Sequence, residues 1–247
     1  MQTFRADLHV HTVLSPCAEV ELIPPLIVET ALERGIHLIA ITDHNSSANF
    51  PAVKKAALGT ELFVLPGMEL QTKEEVHSLC LFDSLEQINY FQDLVNKTLP
   101  DIKNQPEHFG EQFVVDETGE YIRSEERLLI TSSSMSLNQA FELVTEMGGL
   151  FIPAHINRKA FGLIENLGFI PPDIPFPAVE VSRHITPAQA RAKIPGIGSL
   201  PVIQNGDVHR LDEFLGTLTF HILEPSILEI SMALKCQNGR GFSVLEY

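Results

Sequence analysis

The sequence predicts an α/β fold organised as one layered domain, and three observations predict it. Short apolar runs alternate with amphipathic stretches from one end of the chain to the other, the pattern of strands interleaved with helices. The runs are leucine-rich or β-branched and are bounded by Gly, Pro, Asp or Asn, as buried parallel strands are. No composition shift, repeat or low-complexity tract marks a linker, so residues 1–247 are read as a single domain, a length common for α/β barrels. Seven such runs suit either an α/β barrel or an open doubly wound sheet.

In chain order, the first strand is expected at residues 5–9. A helix follows from Pro24-Pro25, places Ile27, Val28, Ala31 and Leu32 on one stripe, and stops at Gly35. Strands are expected at 38–42, 62–66 and 77–82. Residues 100–135 break the alternation: segments 112–116 and 120–123 flank Glu117-Thr118-Gly119 and read as a hairpin. This hairpin-containing insertion is expected to lie over a cleft as a lid or to form an oligomer contact. The helix after Ser136 carries Leu137, Ala140, Phe141 and Val144 and ends at Gly148-Gly149. The last three strands fall at 150–154, 178–182 and 201–205.

Composition excludes several classes. With 44% hydrophobic residues, 15 Gly and 16 Pro, the chain is neither collagenous nor disordered. No stretch approaches the roughly 18 apolar residues of a membrane span, and the opening residues lack the basic segment and apolar run of a signal peptide. Cys17, Cys80 and Cys236 are odd in number and far apart, which argues against disulfides and for a reducing cytoplasm. With 17 basic and 32 acidic residues the net charge is −15. That charge repels phosphate backbones, so no extended nucleic acid is expected as a partner. A small phosphorylated substrate remains, because a buried cation cluster reverses the field locally.

The chemistry gathers at strand ends. His9 and His11 follow the first strand, His44 the second, Glu69 the third, His155 the fifth, and Asp207 and His209 the seventh, while His77 opens the fourth. In a barrel these ends converge on one face, where active sites form. Residues two apart on a strand project to the same side, so Asp7-Leu8-His9-Val10-His11 offers two imidazoles to one ion. Asp207-Val208-His209 repeats the device. Imidazole with carboxylate suits Zn, Mn or Fe rather than a dedicated Mg or Ca site.

The ordered set Asp7-x-His9-x-His11, Ile41-Thr42-Asp43-His44, Gly67-x-Glu69, His77, His155 and Asp207-x-His209 resembles the PHP (polymerase and histidinol phosphatase) family of metal-dependent phosphoesterases, from residue 7 to about 210. The resemblance implies a distorted seven-stranded (β/α)7 barrel with two or three divalent ions in its cleft. By the same resemblance His9, His11, Glu69 and Asp207 hold the first ion, and Glu69 bridges to a second on His77 and His155. A third rests on His44, His209 and position 17. Cys17 departs from the His or Asp usual there, and its thiolate favours Zn or Fe over Mn. Two ions sharing a carboxylate can activate a bridging hydroxide for in-line attack on a phosphate ester. Asp7 and Asp43 are assigned to orienting imidazoles, with protonation of the leaving group as the alternative for Asp43.

Arg158, Arg183 and Arg210 stand just past strand ends and suit bidentate phosphate binding. His184, beside Arg183, joins them as a contact to the reacting substrate. The plainer reading of each arginine is a surface ion pair. Two other functions keep the same cluster: an amidohydrolase-type C–N hydrolase, and a non-catalytic metal-bound regulatory or scaffold domain. Walker, dinucleotide and serine-elbow signatures are absent from the sequence. His37, His108 and His221 are taken as ordinary structural or surface residues, and Cys80 and Cys236 as buried apolar ones.

Overall fold

In the computed structural model, which describes residues 1–245, strands and helices alternate as the hydrophobic pattern requires. The strands are β1 (Gln2–Val10), β2 (Leu38–Ile41), β3 (Phe63–Gln71), β4 (His77–Leu81), β5 (Phe113–Val115), β6 (Tyr121–Ser124), β7 (Leu150–Pro153), β8 (Val179–Val181), β9 (Val202–Gln204), β10 (Leu218–Ile222) and β11 (Gly241–Val244). The helices are α1 (Pro24–Glu33), α2 (Phe50–Ala56), α3 (Leu85–Asn96), α4 (Pro106–Phe109), α5 (Leu137–Glu146), α6 (Leu163–Leu167), α7 (Pro187–Lys193) and α8 (Ile227–Leu234). All seven expected strands form, with ends shifted by a few residues. Helix α1 starts at the proline pair and buries Ile27, Val28 and Ala31. Helix α5 is opened by a reciprocal capping box between Ser136 and Gln139.

The main sheet runs β11-β10-β1-β2-β3-β4-β7, and β8 pairs with β9 separately. Strands β1, β2 and β3 are parallel, but β4 is antiparallel to both β3 and β7. The five residues between Gln71 and His77 are too few for a crossover, so the chain can only turn back on itself. The sheet curls into a half-barrel, and backbone bonds carry the curl onward. Ile156 N–H donates to Glu180 O (2.9 Å), Val208 N–H to His9 O (3.0 Å) and His11 N–H to Val208 O (3.0 Å). The C-terminal half of β1 thus faces the loop after β9, while its N-terminal half pairs with β10. This split partnership distorts the (β/α)7 barrel.

Alternation along the strands builds two apolar layers. Leu8, Leu38, Ala40, Leu65, Leu79, Ile152 and Ile203 pack in one cluster together with Ile227 and Ile230 of α8. Ile39, Ile41, Val64, Phe151, Val179 and Val202 face the other helices. The insertion forms the expected hairpin β5–β6 and is pinned beside the strand ends. Asn45 Nδ2 donates to Leu129 O and Thr131 O (2.7 Å each). Strands β10 and β11 are not among the seven anticipated, and Cys236 is exposed rather than buried. Among the described residues no helix is long and apolar enough to cross a membrane.

Candidate metal centre

The parallel strands deliver His9, His11, His44 and Glu69 to one end of the barrel. Because β4 runs the other way, its first residue, His77, lies opposite Gln71 at the end of β3. A histidine at a strand start therefore arrives where the others arrive by strand ends. His155 and Asp207 follow β7 and β9 with φ of 29° and 50°, left-handed conformations that are uncommon for non-glycine residues though His and Asp adopt them more readily than most. Gly206 makes room for this turn: a Cβ there would lie 2.5 Å from Glu213 O and 2.8 Å from Asp7 Oδ2.

Glu69 is the hub. Its Oε1 lies 3.2 Å from His9 Nε2, 2.9 Å from His77 Nδ1 and 3.0 Å from His155 Nε2. Its Oε2 lies 2.8 Å from His44 Nδ1 and 3.4 Å from His11 Nε2. Asp207 Oδ1 is 3.3 Å from His9 Nε2 and 3.6 Å from His11 Nε2. Three sets have their ligand atoms within 4.8 Å of one another: His9/His11/Glu69, His44/Glu69/His77 and His11/His44/His209. Cys17 Sγ stands 3.3 Å from His44 Nε2, at the edge of the third set. The structure therefore brings all nine expected ligand residues into one cluster, with His11, His44 and Glu69 each common to two of these sets.

The donor set fits divalent ions. Glu69 Oε2, His77 Nε2, His155 Nδ1 and Asp207 Oδ1 are buried without a hydrogen-bond partner. Each such atom costs about 1–3 kcal/mol unless something satisfies it. The two carboxylate oxygens face the inward imidazole nitrogens, a mixed donor set that a cation satisfies, whereas His77 Nε2 and His155 Nδ1 lie on the ring edges opposite those that contact Glu69. The outward nitrogens of His9, His11 and His209 are held as metal-binding histidines require. His9 Nδ1 lies 3.2 and 3.1 Å from the two Glu180 oxygens. His11 Nδ1 is 2.8 Å from Ser15 Oγ, and His209 Nδ1 is 3.0 Å from Asp207 O. With each Nδ1–H donating outward, Nε2 is the nitrogen that faces inward.

Electrostatics follow from burial and crowding. Burial opposes charge on Glu69, but His77, His9 and His44 outweigh it and hold the carboxyl well below its usual range. Burial likewise pushes His9 and His44 down. Glu180 and Glu69 raise His9 well above an ordinary imidazole, and Cys17 and Glu69 do the same for His44. His11 is lowered by burial and by His209 and His44, and burial takes His77 down to about 4. The Cys17 residue is exposed, but its thiol faces the imidazoles; His44 and His209 overcome the desolvation that raises it and bring it to about 6.

Asp7 and Asp43 lie behind this layer, and neither orients an imidazole directly. Asp7 accepts from Gly206 N–H (3.0 Å) and Leu215 N–H (3.0 Å), and burial raises it to about 6. Asp43 accepts from Thr12 N–H (2.7 Å), Thr12 Oγ1 (2.8 Å) and Ser15 Oγ (2.7 Å), so it reaches His11 only through Ser15. Both its oxygens are engaged by Thr12 and Ser15, a poor arrangement for protonating a leaving group. The imidazole-orienting carboxylate is Glu180, fully buried between Val179 and Val181. A charged residue inside an expected apolar strand was the available signal for it.

Above the cluster, a cavity of about 590 Å³ is lined by Arg158, Arg183, His184 and Arg210, with Phe161 and Ile130. Arg158 pairs with Asp207 Oδ2, Arg183 with Glu213 (3.3 Å) and Arg210 with Glu19 (3.0 Å).

A half-barrel carrying buried imidazoles around one shared carboxylate defines the class: a barrel built to hold divalent ions at its strand ends. The chain belongs to the PHP domain family, whose model matches residues 7–160. It is 36% identical over 75 residues to the 5'-3' exoribonuclease Rnm of Salmonella typhimurium, a segment that is 30% of this chain and 25% of that protein. The fold is similar to a lesion-specific endonuclease from Pyrococcus furiosus, with TM-score 0.72 and 20% identity over 98% of this chain and 58% of that one. It is also similar to an Endonuclease Q complex with a 27-mer duplex substrate carrying an abasic lesion, with TM-score 0.74 and 20% identity over 97% and 58% of the two chains. The chain thus spans a quarter to somewhat over half of these relatives.

These relatives correct the expectation that a small phosphorylated substrate is the partner and extended nucleic acid is not. The inference failed because net charge is a sum over the whole surface. A phosphate meets only the cleft, whose mouth carries Arg158, Arg183 and Arg210.

Proposed function

We propose that this chain hydrolyses phosphodiester bonds of nucleic acid at two or three divalent ions, Zn, Mn or Fe, held in the cleft. The observation that carries the reading is Glu69, reached by five imidazoles at 2.8–3.4 Å and flanked by buried atoms without partners. Similarity to an exoribonuclease supports nucleic acid as the substrate class.

His9, His11, Glu69 and Asp207 would hold one ion, and Glu69, His77 and His155, with His44 adjacent, a second. His44, His209 and the Cys17 thiolate would hold a third. Such ions supply Lewis acidity toward phosphate oxygens and an activated water at neutral pH. Glu180, Ser15 and the Asp207 carbonyl keep the imidazoles aimed inward, and Asp7 fixes the turn that presents Asp207. Arg158, Arg183, Arg210 and His184 bind the phosphates on either side of the scissile bond. The carboxylate partners of Arg183 and Arg210 form partly exposed pairs, worth about 0–1 kcal/mol, so these two guanidinium groups turn to phosphate at little cost.

The test is a substrate panel on protein stripped of metal and reloaded with Mn, Zn or Fe: single-stranded RNA, single-stranded DNA, duplex DNA, a phosphomonoester and an amide. Cleavage of a nucleic acid that is lost with chelator and in Glu69→Gln is the expected result. Amide hydrolysis alone would assign the cluster to C–N chemistry. Silence with every metal and substrate would leave a metal-bound scaffold.

A further inference from the structure

We propose that Phe161 forms a nucleobase-stacking subsite beside the metal cluster. The proposal rests on the nuclease reading and names how its substrate is recognised.

Phe161 follows His155 by six residues, in the tight turn that leads into α6. Its ring lies parallel to that of His77, with centroids 4.5 Å apart and planes inclined by 1°. One face is therefore taken by a candidate metal ligand. Yet the residue keeps 38% of its surface exposed, and that surface borders the same cavity as Arg158, Arg183 and Arg210. A large aromatic side chain facing solvent at the rim of a charged cleft contributes little to folding. The ring surface left open at the cavity rim is instead where a base stacks.

The backbone reinforces this reading. Phe161 has φ of 58°, a left-handed conformation that is strained for a bulky residue. Glycine would occupy it without cost, so a phenylalanine held there argues for a use of the ring. Two contacts fix the geometry. His77 N–H donates to Phe161 O at 3.0 Å. At the neighbouring Gly162, an added Cβ would lie 2.1 Å from Arg158 O. The turn therefore sets ring and arginine in a fixed relation. A phosphate engaged by Arg158 and the cluster places its own nucleoside within reach of the ring. Stacking is indifferent to base identity, so the subsite selects nucleotides over other phosphate esters without reading sequence.

Adenosine 5'-monophosphate carries a base where ribose 5-phosphate carries its anomeric hydroxyl, which makes them the probes. Their binding to the metal-loaded chain is measured by calorimetry, with each ligand confirmed intact afterwards, in wild type, Phe161→Gly, Phe161→Leu and Phe161→Trp. Wild type is expected to prefer the nucleotide. Phe161→Gly and Phe161→Leu should lose about 5- to 150-fold of nucleotide affinity, the range for one base–aromatic stack, with ribose 5-phosphate and metal content unchanged. Phe161→Trp should retain the preference. Equal wild-type affinity for the two probes overturns the proposal. Parallel loss of both probes together with metal also overturns it, since Phe161 then only steadies His77. Because binding is read without turnover, an inactive chain that still prefers the nucleotide would refute the hydrolase reading and leave the subsite standing.

Discussion

Glu180→Gln tests whether the metal centre is organised from behind. Both Glu180 oxygens lie within 3.2 Å of His9 Nδ1, and both residues are fully buried. The substitution keeps size and shape but removes the charge, and its amide can present NH2 where the imidazole N–H needs an acceptor. His9 then loses the interaction that fixes its tautomer, while Glu69 and Asp207 still contact Nε2 and keep the ring in place. Losing such a supporting hydrogen bond typically weakens metal binding by about 10- to 100-fold, equivalent to about 1.4–2.7 kcal/mol. Only the ion on His9, His11 and Glu69 should weaken, because Glu180 touches no other ligand. Titration against a chromophoric chelator would show one ion released early and the rest held as in wild type. An affinity within threefold of wild type for every ion, with thermal stability unchanged, would refute the reasoning.

Other consequences follow from the same geometry. In Cys17→Ser loaded with Co(II), the near-ultraviolet thiolate-to-cobalt absorption of the wild type should vanish and bound metal should fall by one ion; identical spectra would remove sulfur from the centre. His9 and His44 hold their protons above the ordinary imidazole range, so an ion must displace them. Metal binding should therefore release protons at neutral pH and weaken on acidification, whereas the Cys17 thiol, near 6, is already largely ionised there and adds little to the release. Calorimetry in buffers of different ionisation enthalpy reads the count, and no release at pH 7 would contradict it. Arg183→Ala and Arg210→Ala should each raise KM for a nucleic acid several-fold with metal content intact, while arginines serving only as surface pairs would leave KM unmoved.

Much of this centre is written locally in the sequence. Barrel-forming segments such as Leu38–Ile41 are wholly apolar and wholly buried, and the ligands sit immediately past them, so pattern and chemistry agree. What local pattern cannot encode is direction. The reversal of β4 depends on a connection too short to cross over, and it explains why His77 looked misplaced. Glu180 stood out only as one charge within an apolar strand, and its role was not legible because its partner, His9, lies 171 residues away. Strand β10 was missed for a similar reason: one of its partners, β1, comes from the opposite end of the chain. The charge argument erred differently, by replacing a field that varies over the surface with a single number.

The stitching of β1 to the loop after β9 has a bearing on how the molecule is made. Leu8 N–H reaches Asn205 Oδ1, and Gly206 N–H reaches Asp7, across 197 and 199 residues. During synthesis the first histidines leave the ribosome long before Asp207 and His209 exist to meet them. Closure of so long a loop is slow, so the early imidazoles must wait as part of an unfinished wall. Capture of a full set of ions is then a late event that seals a nearly completed barrel, rather than the seed around which it grows.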